Sequence, residues 1–178
     1  TAVDSIISQN LIEQIKNFPE LNEYILYESK YLDNRFEILM MPGKWRYEAL
    51  EAWHPGTVWN PSGVNVVIHS DWEGYRGRAA YARIGGSYYA ARLAVCERLV
   101  EDRRQAEVVV LREIYPEYIM PVGVWQVREN VRNAVKSSPI KFNTLGEALK
   151  RVSTKLQIPL QKWIKHSKLL KDAVYQRR

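Results

Sequence analysis

The run His69-Ser70-Asp71-Trp72-Glu73-Gly74-Tyr75-Arg76-Gly77-Arg78 packs a histidine, two acids and two arginines into ten residues. If a strand runs on through Asp71, then His69, Asp71 and Glu73 project from one face, because side chains alternate along a strand. Carboxylates at a strand end suit general-base chemistry or a divalent metal. Gly74 and Gly77 let the backbone turn sharply or approach a ligand closely. The alternative is a charged β-turn whose acids pair with Arg76 and Arg78. Glu113, beside Arg112 at the end of EVVVLRE, is a third acid/base candidate. The spacing fits no metal-ligand motif, so no metal ligand is assigned, and a divalent metal enters only with a nuclease reading.

Two further groupings point to anions. Gly85-Gly86-Ser87-Tyr88-Tyr89 reads as a strand-to-helix turn, and a helix N-terminus presents free amides and a positive dipole end. Two glycines permit close approach, and Ser87 either caps the helix or binds a phosphate. This is neither a GKS/GKT phosphate loop nor a G-x-G-x-x-G fingerprint. Trp125, Arg128, Glu129, Arg132 and Lys136 share one helix face, with Val124, Val127, Val131, Ala134 and Val135 opposite. Such a stripe suits base stacking with phosphate pairing, or else Glu129 neutralises the arginines and Trp125 lies against the body. Both readings stay open.

Arginine and lysine are also segregated. Ten arginines and no lysine fall between Asp71 and Arg132: Arg76, Arg78, Arg83, Arg92, Arg98, Arg103, Arg104, Arg112, Arg128 and Arg132. From Lys136 onward there are eight lysines and three arginines. Guanidinium is a planar fork for carboxylates and phosphates, whereas ammonium is a hydrated point charge. The middle of the chain therefore suits fixed geometry, and the end diffuse positive charge. Residues 150–178 carry a net charge of +8 within a chain total of +6, a layout that suits contact with polyanions or a solvated helix face.

The elements that would position these groups read as follows. Apolar spacing predicts a helix within 1–30, broken at Pro19. Phe36–Met41 reads as a strand, Trp45–Trp53 as a short helix, and Val64–His69 as a strand. Arg78–Ile84 reads as its hairpin partner across Gly74–Gly77. A helix over Tyr88–Gln105, a strand over Glu107–Glu113 and a helix over Val124–Lys136 follow. Thr144 with Glu147 forms a capping box for a helix to about Leu156, and a last helix runs from Pro159 towards Tyr175. The expected fold is α/β, a mixed sheet of about four strands flanked by helices. Residues 1–138 would form the core and 139–178 a lysine-rich helical segment packed on or beside it.

At 178 residues, 46% hydrophobic and 26% charged, the chain suits one domain with a sizeable core. No apolar run is long enough for a membrane span, and no signal pattern opens the chain, so a cytoplasmic location without membrane partners is expected. Cys96, the single cysteine, excludes an internal disulfide and a cysteine-built zinc site, and its apolar neighbours on the helix place it in the core. The start at Thr1 suggests a fragment. His54, His69 and His166 form no catalytic grouping with a serine or cysteine.

The run DWEGYRGRAAYARIGGSYYAAR, from Asp71 to Arg92, resembles the carboxy-terminal domain of the archaeal Nre family of DNA repair proteins. EAWHPGTVW, LAVCERLVEDRRQA, VVVLREIYPEY and PVGVWQVRENVRNAV extend the resemblance over Trp45 to Val135. It implies a cytoplasmic archaeal protein of DNA damage repair, partnered with the replication sliding clamp through a carboxy-terminal peptide. The family's amino-terminal cysteine zinc motif has no counterpart here. Gln176-Arg177-Arg178 stops short of a clamp motif, and Gln161 with Ile164 meets Ser167 and Lys168 where aromatics belong.

Three functions follow as expectations. The first is DNA binding through Arg76, Arg78, Gly85, Gly86, Ser87, Tyr88, Arg92, Arg112, Trp125, Arg128 and Arg132, helped by the basic C-terminal helix. The second is a DNA-processing enzyme, a glycosylase or metal-dependent nuclease, using Asp71, Glu73 and Glu113. The third is an interaction module whose arginines form a structural ion-pair network. Convergence of Asp71, Arg78, Ser87 and Arg112 in one pocket would separate them.

Overall fold

The computed structural model describes residues 1–119 and 122–176. Helix α1 (Ala2–Ile15) precedes a hairpin of β1 (Tyr24–Tyr31) and β2 (Asn34–Met41), then β3 (Arg46–Trp53) and β4 (Val67–Glu73). There follow α2 (Gly86–Asp102), β5 (Glu107–Ile114), α3 (Val124–Lys136) and β6 (Ile140–Phe142). The chain continues through α4 (Leu145–Lys155), α5 (Leu160–His166) and α6 (Lys168–Lys171) into a π-helical turn over Asp172–Gln176. The six strands lie in the order β4-β3-β5-β2-β1-β6. Only β3 and β5 are parallel; every other pair is antiparallel.

Strand alternation divides the core in two. Tyr47, Ala49, Val108 and Val110 face α1, α2 and α3, packing on Ile12, Ala94 and Val131. Leu50, Ala52, Val109 and Leu111 face the C-terminal helices, packing on Val152, Trp163 and Leu170. The sheet is thus sandwiched between two helical layers, and β6 joins its edge beside β1. Two buried carboxylates anchor the second layer. Glu48 on β3 accepts hydrogen bonds from Ser167 Oγ at 2.6 Å, Lys168 N at 2.8 Å and Leu169 N at 2.9 Å. Glu113 on β5 accepts from Ile158 N at 2.8 Å and Gln157 N at 3.0 Å. Bonds to a charged acceptor contribute about 1.5–3 kcal/mol each.

Several expectations need correction. The sheet has six strands, not about four. Residues 24–31, read as helix, form β1, and Trp45–Trp53, read as a short helix, forms β3. The helix-forming types in RYEALEAW misled, because burial on both faces decides a central strand. Arg78–Ile84 is not a strand; Asp71 draws it into an irregular loop, accepting from Arg83 N at 2.8 Å. The last helix is broken at Ser167, whose hydroxyl accepts from Leu170 N to start α6 while donating to Glu48. Val124–Lys136 and the Thr144–Glu147 capping box stand as read. Among the described residues no helix is long and apolar enough to cross a membrane.

Opposite one another in β1 and β2, Glu28 and Glu37 form an acid pair flanked by Arg151 and Arg35. Burial, then the neighbouring Glu28, pushes Glu37 up to about 9. Burial acts against ionisation of Glu28 too, but the Arg151 guanidinium and the Glu37 hydroxyl outweigh it and hold Glu28 below its ordinary value. One proton is therefore kept between the two at neutral pH.

Candidate nucleic-acid site

At the carboxyl ends of the parallel strands a polar row crosses the sheet. Glu51 on β3 lies in register with His69 on β4 and with Arg112 on β5. The Arg112 side chain is only 7% exposed. Its Nε donates to Asn34 Oδ1 at 2.7 Å and its Nη1 to Glu51 Oε1 at 3.1 Å. Its guanidinium carbon lies 5.5 Å from the Trp53 ring centre and 5.8 Å from that of Phe36. Its Nη2 has no protein partner among the described residues, so a buried cation keeps one donor in hand.

Above this row lies a cleft with two lobes that share Glu51, Trp53, Trp59 and Ile84. One, of about 250 Å³, adds Arg112, Ser87, Tyr118 and the start of α3. The other, of about 300 Å³, adds His69, Arg83 and Gly85. The carboxyl ends of parallel strands are where α/β sheets bind ligands, because the following loops and helix starts diverge there.

Both neighbouring helices begin on glycine at this cleft. Gly85 (φ +72°) precedes α2 and Gly123 (φ +69°) precedes α3, and neither start is capped by a side chain. The first backbone bonds are Tyr88 N to Gly85 O at 3.2 Å and Gln126 N to Gly123 O at 3.3 Å. The amides of Gly86, Ser87, Val124 and Trp125 come before those bonds and have no helical acceptor. Gly86 lets the two starts meet: a Cβ there would lie 2.8 Å from Val124 Cγ1 and 2.6 Å from Thr1 Oγ1. Ser87 does not cap α2; its hydroxyl donates to Ile84 O at 3.0 Å.

The outer wall is Trp59, 70% exposed and edge-on to Trp53 with centroids 6.3 Å apart. Its loop is pinned by buried Asn60, which donates to Trp53 O at 3.1 Å and Asn65 O at 2.8 Å. Gly63 packs so closely on Asn60 that no side chain fits there.

The other expected site residues are distributed as follows. Asp71 and Glu73 share the cleft's face of the sheet, as strand alternation implied, but each is engaged by an arginine. Asp71 accepts from Arg78 Nη2 at 2.6 Å and from the amides of Arg83 and Trp72. Burial would raise its carboxyl, but those donors outweigh it and hold Asp71 below the usual carboxylate range. Glu73 is fully buried, accepting from Arg92 at 2.7 Å and Tyr88 at 3.0 Å. Arg92 in turn donates to Ser8 and Ser5 of α1. Glu113 points to the opposite face of the sheet, so these three acids do not converge. Among the described residues no three histidine, cysteine or acidic side chains are grouped to hold a metal ion.

Ser87 and Arg112 line one cavity, whereas Asp71 and Arg78 pair beside it. On α3, Trp125 is exposed, Arg128 pairs with Asp4 and Glu129, and Arg132 pairs with Glu97 and Glu129. Arg98 pairs with Asp102. Arg76, Arg83 and Arg103 are exposed and have no ion pair among the described residues, and Arg104 has none either. Lys150, Lys155, Lys162, Lys165 and Lys171 likewise make none. Glu113, adjacent to Arg112 in β5, binds the α4–α5 turn on the other face of the sheet. Arg177 and Arg178, counted in the basic tail and the clamp motif, lie outside the described residues. Sequence reasoning missed Glu51, Trp53, Trp59 and Arg83. Once β3 is known to be a strand, alternation through Tyr47, Ala49, Glu51 and Trp53 places Glu51 on this face.

The family description "Archaeal Nre, C-terminal" matches residues 73–178, and "Archaeal Nre, N-terminal" matches residues 1–60. The likeness thus extends well beyond Trp45–Val135 and into the family's amino-terminal unit. The chain is 42% identical over 171 residues to DNA repair protein NreB of Archaeoglobus fulgidus, covering 96% of this chain and 44% of that protein. It is 37% identical over 162 residues to DNA repair protein NreA of Haloferax volcanii, covering 90% and 39%. It is 36% identical over 157 residues to DNA repair protein NreA of Archaeoglobus fulgidus, covering 88% and 40%. The chain therefore spans about two fifths of the length of these curated relatives. No solved structure matches it.

Proposed function

We propose, from the premise that this chain belongs to the archaeal Nre family, that it is a cytoplasmic DNA-binding part of a DNA damage repair protein. Its backbone-binding site is the cleft over Arg112. One observation carries this reading: a buried arginine, with one donor that has no partner among the described residues, lies beneath two uncapped, glycine-led helix starts. Helix starts and guanidinium are both phosphate ligands, and here they share one hollow. Arg83 adds exposed charge at the rim of the second lobe, and the lysines of α4 and α5 add diffuse positive charge on the other helical layer.

The arginines divide by role. Arg78, Arg92, Arg98, Arg128 and Arg132 bind acids of the same chain and hold elements together, which favours the ion-pair reading for those five. Arg112 and Arg83 are those we assign to DNA at the cleft, and exposed Arg76, past the far end of β4, to DNA running beyond it. An enzymatic role for Asp71 and Glu73 is the alternative, and its test is turnover of lesion-bearing oligonucleotides with and without magnesium or manganese. Contact with the sliding clamp belongs, on this reading, to the longer family proteins.

DNA affinity should fall steeply between about 50 and 200 mM salt, since each phosphate contact releases counterions. Arg83→Ala should reduce the slope of log affinity against log salt by about one. A chain with no DNA affinity at low salt removes the reading.

A further inference from the structure

We infer that the cleft takes a single unstacked nucleotide of DNA, with its base on the Trp53–Trp59 wall and its phosphate at the glycine-led helix starts. The inference rests on the DNA-binding reading above and specifies which part of DNA enters.

Size is the first argument. The lobes, of about 250 and 300 Å³, suit a small ligand and lie between a sheet end and two helix starts. A stacked base pair cannot enter such a hollow, whereas a base turned out of its stack can.

The lining is the second. Trp53, Val58, Ile84 and Val127 give the first lobe an apolar wall, and Glu51 and Arg112 form a polar floor. A bare phosphate has no use for the wall, and a purely apolar ligand would strand the floor. A nucleotide uses both.

The floor also has the character of a base edge's complement. Among the described residues Glu51 is engaged by Arg112 through Oε1, leaving Oε2 to accept from an exocyclic amine, while Arg112 Nη2 donates to the nucleotide's phosphate. A carboxylate oxygen is the group that reads an amine-bearing base edge. The observation independent of the helix starts is this one: a side chain more than nine-tenths buried lines the cavity with a donor that has no partner among the described residues.

Trp59 supplies the platform. It is largely exposed yet held by a pinned loop, and one T-shaped contact with Trp53 leaves ring face open for stacking. Base–aromatic stacking tolerates any base, so the platform selects for an unstacked nucleotide, and preference among bases comes from the Glu51 carboxylate. Exposed Arg83, at the rim of the second lobe, is placed for a neighbouring phosphate.

The test uses the full chain with three DNAs of one sequence, each carrying 2-aminopurine at the same position: single-stranded, duplex with that base opposite an abasic site, and fully paired duplex. The first two should bind at least tenfold more tightly than the paired duplex, and their 2-aminopurine fluorescence should change on binding. Trp59→Ala, a substitution at an exposed position, should weaken binding to the first two roughly tenfold and abolish the fluorescence change. Arg112→Gln should weaken it as well. Equal affinity for all three DNAs with silent fluorescence overturns the nucleotide pocket and leaves DNA binding standing. Unchanged behaviour of Trp59→Ala overturns the pocket even if Arg112→Gln fails to fold. Absence of binding to any of the DNAs at low salt overturns both readings.

Discussion

Replacing Glu113 with glutamine separates an anchor from a catalyst. The carboxylate is fully buried, with Oε1 accepting from Ile158 N at 2.8 Å and facing His54 Nε2 at 3.2 Å. Oε2 accepts from Gln157 N at 3.0 Å and Tyr115 Oη at 3.4 Å. A glutamine amide has the same shape but one acceptor oxygen, so whichever way it is turned one backbone N–H of the α4–α5 turn meets an NH2 group. An orphaned buried donor costs about 1–3 kcal/mol, and loss of charge assistance in the surviving bonds adds roughly 1 kcal/mol. The expected destabilisation is about 2–4 kcal/mol, a fall in Tm of roughly 5–15 °C for a chain of this size. Thermal unfolding followed by circular dichroism measures it, alongside DNA affinity measured where the variant is folded. That affinity should be unchanged. An unaltered Tm refutes the anchoring argument, and normal stability with lost DNA binding or turnover would return Glu113 to the functional site.

Three further outcomes follow from the same geometry. Glu37 binds its proton more tightly folded than unfolded, so stability should fall as pH rises from its ordinary value of 4.5 towards about 9. Glu37→Gln should flatten the Tm–pH profile over that window, and an unchanged profile would contradict a retained proton. Gly86→Ala inserts a methyl between the starts of α2 and α3, which should cost about 1–3 kcal/mol in chemical denaturation and weaken DNA binding; a variant as stable as the parent would show that the starts have room. Asp71→Asn removes the charge that holds Arg78 and the Arg83 amide. Protease should then cut residues 74–85 faster, and the parent's own resistance should decline as pH falls through the depressed pKa of Asp71. Unchanged cleavage rates would mean that Asp71 does not organise the loop.

What the sequence revealed, and what it hid, follows one physical rule. Elements with a single buried face were legible, since α3 shows its apolar stripe and α4 carries a capping box; β5, buried on both faces, was legible because its run is β-branched. Central strand β3 is buried on both faces and built of Glu, Ala and Leu, so neither helical nor strand periodicity identified it reliably. Losing β3 meant losing Glu51 and Trp53, and with them half of the cleft. The glycines at Gly85 and Gly86 were readable as a helix start near an anion, but that Gly123 opens a second start on the same hollow is a matter of topology. Nor does spacing distinguish an arginine bound to its own acid from one with a donor to spare. Arg92 and Arg112 look alike in sequence, and only Arg92 has Glu73, Ser8 and Ser5 closing around it.

If Arg112 and the two helix starts form one phosphate-binding hollow, a single ligand must touch all of them. Titrating the isotope-labelled chain with a short single-stranded oligonucleotide, and watching backbone amide resonances, tests it most directly. The amides of Gly86, Ser87, Val124 and Trp125 and the Arg112 guanidinium should shift together along a single saturating curve. Shifts confined to the lysines of α4 and α5, with those amides silent, would contradict it.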